Sequence, residues 1–76
     1  MAKRPPITNR VKELREAHDN MSQSTLAKAI GVTRQTVIAI EQGRYSPSLE
    51  SAFRIAREFG VGLEDVFGWD EAADNN

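Results

Sequence analysis

The chain has no cysteine and a single histidine, His18, so a disulfide framework and a Cys/His metal cluster are both excluded as staples. No apolar run approaches the length of a signal peptide or a membrane span, and Lys3-Arg4-Pro5-Pro6 leads into a polar segment. Internal repeats and strand-like alternation are missing too. The glycines are isolated rather than gathered into a phosphate-cradling loop. Ser22, Ser24 and Thr25 have no histidine base nearby in sequence, and Glu64 and Asp65 fit the first turn of a helix better than a catalytic pair. His18 itself reads as a helix C-terminal partner or a surface residue. These absences predict a non-enzyme with no cofactor, no metal and no membrane partner, in keeping with a reducing cytoplasm.

Seventy-six residues make one domain at most. A chain of this size buries only about 60% of its unfolded surface, so its stability must come from tight helix packing, oligomerisation or both. The net charge of −1 alone argues against a polyanionic partner. Its distribution argues the reverse. Residues 1–44 carry eight Lys/Arg against four acids, a net +4, while residues 45–76 carry two against seven, a net −5. Such a chain can turn a basic face to phosphate and its acidic end away.

Helical periodicity runs from Thr8 to Phe67. Thr8 or Asn9 can cap a first helix with Val11, Leu14 and Ala17 on one face, ending near His18-Asp19-Asn20. Lys12 and Glu16 form an i,i+4 pair on its other face. Ser22 caps a second helix with Leu26, Ala27 and Ile30 inward, and Gly31 ends it in a left-handed conformation that needs no Cβ. Thr33 caps a third helix to about Gln42, with Val37, Ile40 and Glu41 on its inner side. Ser46-Pro47 is read as the start of a fourth helix, proline at N1, with Leu49, Ala52, Phe53, Ala56 and Phe59 as its buried stripe. Glu50, Arg54 and Glu58 form its exposed charge ladder. A short fifth helix spans Leu63 to Phe67, and Trp69 onward reads as an acidic tail, frayed beyond Trp69. The resulting division is a basic arm (1–6), a folded domain (7–68) and the tail (69–76).

The stretch QSTLAKAIGVTRQTVIAIEQG, residues 23–43, is the most specific signal. Two short amphipathic helices meet at a turn around Gly31, Ala27 is small where the helices cross, and the second helix opens with polar side chains able to reach base edges. This is the outline of a helix-turn-helix, which lays one helix in the DNA major groove.

Residues 7–67 resemble the Xre family, the lambda and Cro-like repressor domains of phage and bacteria. The likeness is carried by Arg10-Val11-Lys12-Glu13-Leu14-Arg15, Ser22-Gln23, Leu26-Ala27-Lys28, Ile30 through Val37, Glu41-Gln42-Gly43, Pro47-Ser48-Leu49 and Phe59-Gly60-Val61. It implies an all-α, compact five-helix fold and a transcriptional regulator, by default a repressor, that binds double-stranded DNA as a homodimer on a palindromic operator. It further implies base contacts from Arg34, Gln35, Thr36 and Ala39. Gln35 can bond N6 and N7 of adenine, and Arg34 can grip guanine or a phosphate. Thr36 offers a hydroxyl and a methyl, and the short Ala39 suits a thymine methyl. Ile38 departs from the polar residue more usual there and is read as covering the helix edge.

Phosphate contacts fall to Gln23, Thr33, Gln42 and Arg44, helped by the N-terminus of the second helix. Arg10, Lys28 and the Lys3-Arg4 arm serve equally well as solvated surface. In similar repressors the positions of Arg15 and Glu41 form a semi-buried ion pair, which would tie the first helix to the third and mask an acid close to DNA. The second functional reading is an antitoxin or adaptor-type interaction protein on the same fold. Phe67 and Trp69, large apolar groups with little core left to enter, are its candidates for dimer or protein-partner contact.

Overall fold

The structure, a computed structural model, describes residues 5–74, so Lys3 and Arg4 of the expected basic arm lie outside the described residues. Strand β1 (Ile7–Asn9) precedes helices α1 (Val11–Ala17), α2 (Gln23–Ile30), α3 (Arg34–Glu41), α4 (Leu49–Glu58) and α5 (Leu63–Val66). Strand β2 (Phe67–Trp69) and a single helical turn, α6 (Glu71–Asp74), follow.

The central pair forms as its local signals require. Ser22 Oγ accepts from the Thr25 N–H at 3.0 Å and opens α2; Thr33 Oγ1 accepts from the Thr36 N–H at 3.2 Å and opens α3. Between them Gly31 takes φ +77°, a left-handed conformation in which an L side chain is strained even though nothing else crowds the site. Val32 folds back onto the core, its N–H donating to the Ala27 carbonyl at 3.0 Å. That core joins Val11 of α1, Leu26, Ala27 and Ile30 of α2, and Val37 and Ile40 of α3 to Ile55, Ala56 and Phe59 at the end of α4 and to Val66 of α5. Leu14, Met21, Val61 and Phe67 close it as half-buried neighbours.

Several expectations are corrected. The fold is not purely helical: β1 and β2 pair antiparallel, with Ile7 opposite Trp69, Thr8 opposite Gly68 and Asn9 opposite Phe67. Each strand is three residues long, too short for alternation to register, and its partner lies almost the whole chain away. With α6 there are six helices rather than five among the described residues, and that sixth helix lies in the stretch beyond Trp69 expected to fray.

On α1 the cap position is Arg10, which makes no capping side-chain bond; the Asn9 carboxamide takes the Val11 N–H instead, at 3.0 Å. Ala17 is exposed and Arg15 buried in its place, because Arg15 finds partners inside the fold.

Helix α4 starts two residues later than expected. Ser46 and Ser48 both satisfy the capping rule, but Ser48 Oγ is the one that receives an orphan N–H, that of Ser51 at 3.1 Å. Its buried stripe is Ala52, Ile55, Ala56 and Phe59, whereas Leu49 is 70% and Phe53 49% exposed. The apolar arc of this helix is wider than the core beside it, and the core covers only the Ile55 side.

Candidate nucleic-acid interface

Helix α3 presents two chemically different sides. Val37 and Ile40 are sealed into the core. Arg34 and Gln35 stand exposed in its first turn, and Thr36, Ile38 and Ala39 are half-buried around the edge. The Thr36 hydroxyl lies 3.1 Å from that of Thr33, so one of the two donates to the other and each keeps acceptor capacity. Gln42, exposed, caps the helix. Gly43 and Arg44 then wrap its end, their N–H groups donating to the Ile40 and Ala39 carbonyls at 3.0 Å each. Arg34, Gln35, Gln42 and Arg44 are therefore brought to solvent along one short rod and its exit turn.

The acid on that rod is neutralised from within. Glu41 Oε2 accepts from Arg15 Nε at 2.7 Å and Glu41 Oε1 from Arg15 Nη2 at 3.1 Å, a two-pronged pair whose side chains are only 5% and 11% exposed. The third prong of the guanidinium, Nη1, donates to the Met21 carbonyl at 2.7 Å, so the turn after α1 is clamped by the same side chain. The hydrogen bond to Glu41 raises the Arg15 pKa further above its ordinary value, and the guanidinium stays charged at any workable pH.

Sequence reasoning missed a third member of this cluster. Gln23 Nε2 donates to Glu41 Oε1 at 3.0 Å, which ties the first residue of α2 to the last of α3. One carboxamide N–H of this expected phosphate contact is thereby spent inside the protein. The N–H groups of Gln23 and Ser24, in the first turn of α2, have no carbonyl within the helix to donate to. Asn9 is the other unforeseen positioning residue: its Nδ2 donates to the Ile40 carbonyl at 2.8 Å, so β1 holds the C-terminal end of α3. Neither link has a sequence signal, because each spans a separation no local pattern records. A half-exposed Tyr45 follows Arg44, an aromatic in a polar loop that could have been noticed on that ground.

Ion pairs engage Arg10, Arg15 and Arg54. Arg34 and Arg44, at the rod and its exit turn, are left without an ion-pair partner, as are Lys12, Lys28 and Arg57 elsewhere among the described residues. Arg10 is committed to Glu13 at 2.7 Å; its hydrogen bond and charge hold the Glu13 carboxyl below the usual range on a fully solvated surface. His18 is exposed with its ring edge against Phe59, centroids 5.5 Å apart. Phe67 and Trp69 belong to β2 rather than to the rod. No described residues cluster in a way that could hold a metal ion, and no described helix is long and apolar enough to cross a membrane.

Comparison with known proteins matches residues 11–66 to the family described as Helix-turn-helix. The chain is 52% identical over 65 residues to the uncharacterized HTH-type transcriptional regulator MJ0272 of Methanocaldococcus jannaschii, covering 86% of this chain and 97% of that one. A cryptic phage CTXphi transcriptional repressor, RstR, from Vibrio cholerae is 32% identical over 60 residues, which span 79% of this chain and 53% of the relative. Among solved structures, one from Bacteroides fragilis superposes with a TM-score of 0.71 at 21% identity, covering 82% of this chain and 98% of that one, a likeness of fold.

Proposed function

Because this chain belongs to the helix-turn-helix family of DNA-binding transcriptional regulators, which are not enzymes, we propose that it is a sequence-specific repressor acting as a homodimer on a palindromic operator. The observation that carries this reading is the open first turn of α3, where Arg34 and Gln35 face solvent on a helix whose inner side is fixed and whose only acid is already paired. Laid in the major groove, that turn lets Gln35 bond adenine N6 and N7, Arg34 guanine or a neighbouring phosphate, and Thr36 and Ala39 thymine methyls. Gln23, Thr33, Gln42 and Arg44 hold the phosphates on either side. Repression is supported by the name of the Vibrio cholerae relative; a cytoplasmic location follows from the target.

Two copies are required by information content as well as by symmetry. Three or four side chains read only a few base pairs, and a genome offers about 10⁶–10⁹ competing sites. Selection of bound duplexes from a random pool tests the reading. The expected result is enrichment of an inverted repeat with half-sites about 10–10.5 base pairs apart, matching reading helices about 34–36 Å apart. No enrichment overturns sequence-specific binding, and enrichment of an isolated half-site overturns the dimer alone.

A further inference from the structure

An apolar face lies on the opposite half of the sequence from the DNA-reading residues. On α4, Leu49 and, one turn on, Phe53 are 70% and 49% exposed; on β2, Trp69 is 55% exposed. Between Leu49 and Trp69 run two adjoining grooves. One, of about 280 Å³, is lined by Ile7, Pro47, Leu49, Ala52, Leu63 and Phe67. The other, of about 490 Å³, shares Ile7, Leu63 and Phe67 and is bounded by Glu64, Gly68 and Trp69. We infer that this face is the interface between two copies of this chain, an inference that rests on the homodimer proposed above and assigns its surface.

The shape favours a second copy over an unlike partner. A two-fold interface must be complementary to itself, since the same patch supplies both sides. Here protruding groups (Leu49, Phe53, Trp69) and recesses to receive them occur side by side on one surface. The area also fits. With aromatic side chains covering about 150–250 Å² each, the three exposed groups and the half-buried Ile7, Pro47, Leu63 and Phe67 present roughly 500 Å² of apolar surface per copy. A patch of that size lies toward the upper end for a monomer. Doubled, and taken as about two-thirds of a homodimer contact, it gives roughly 1,500 Å² in all, the size of a specific interface. It uses none of the side chains assigned to DNA, so both functions can operate together.

Trp69, the only tryptophan in the chain, reports on the face directly. Equilibrium sedimentation and Trp emission are followed over a dilution series of the full chain and of Leu49→Glu. That substitution is mild for folding, because Leu49 is exposed and an acid is welcome in the first turn of a helix. The expected result is a wild-type dimer whose emission shifts to longer wavelength on dissociation. Leu49→Glu is expected to dissociate at least tenfold more readily while its far-UV circular dichroism is unchanged. Phe53→Glu, on the next turn, should act in the same direction. A Leu49→Glu protein that dimerises like wild type overturns the assignment of this face but leaves the dimer intact. Trp69 emission indifferent to dissociation does the same. A wild type that stays monomeric even on DNA carrying the inverted repeat overturns both the interface and the proposed homodimer, and leaves the face to a different protein.

Discussion

Glu41 is the residue on which the reading helix depends most. It is an acid on the helix that approaches a polyanion, tolerable only because Arg15 and Gln23 occupy both its oxygens. Arg15→Ala would leave a carboxylate nearly buried with one neutral donor and should cost about 3–5 kcal/mol in urea unfolding, most of the stability of a small domain. Replacing both members, Arg15→Met with Glu41→Leu, removes the stranded charge and should recover most of that loss. A single-substitution cost below about 1 kcal/mol would show that the pair is solvated in practice. At the exposed end of the same helix the effects fall on binding instead. Gln35→Ala should lose about 1–3 kcal/mol at one base position and relax preference there only. Arg44→Ala should weaken every duplex alike. Electrophoretic titration on operator and scrambled DNA separates the two roles, and equal losses on both sequences for both variants would contradict them.

Helices α2 and α3 were legible because what makes them is local: Ser22 and Thr33 as caps, Gly31 at the turn, and an apolar stripe in phase with 3.6 residues per turn. The β1–β2 pair was not, since its register joins residues some sixty positions apart and nothing in Ile7-Thr8-Asn9 announces a partner. Helix α4 falls between. Its apolar arc is plain in the sequence, but which part meets the core is set by the neighbours, so Leu49 and Phe53 were placed inside and lie outside. The strand pair can be tested on its tightest contact. A Cβ on Gly68 would lie 2.8 Å from Thr8 Oγ1, closer than carbon and oxygen pack. Gly68→Ala should therefore destabilise the fold by about 1 kcal/mol or more, toward the low end of overpacking because the Thr8 hydroxyl can rotate away. Thr8→Ala removes the clash, so the double variant should be more stable than the sum of the singles. Strict additivity in thermal unfolding would mean that the two strands do not meet in this register.

The candidate site was legible as a list of residue types on one helix but not as a network: Gln23 binding Glu41 and Asn9 holding the Ile40 carbonyl are products of the tertiary arrangement. The charge asymmetry belongs to the chain entire, with +4 over residues 1–44 and −5 over residues 45–76, and it predicts opposite salt responses for its two associations. DNA binding draws on the basic half. If Arg34 and Arg44 of each copy neutralise phosphates, a dimer displaces roughly four counterions, and the logarithm of affinity should fall with the logarithm of salt at a slope of about −3 to −4. Arg44→Ala, acting once per copy, should reduce that slope by about 2. Self-association draws on the acidic half, where Glu64 borders an apolar face, so added salt screens repulsion between copies and leaves the apolar contact intact. Between 0.1 and 0.5 M sodium chloride (about a twofold drop in screening length) the dimer should hold or tighten while operator affinity collapses. Sedimentation and fluorescence anisotropy on one protein stock measure both. A dimer that dissociates in step with the loss of DNA binding would mean that ion pairs rather than apolar contacts join the two copies.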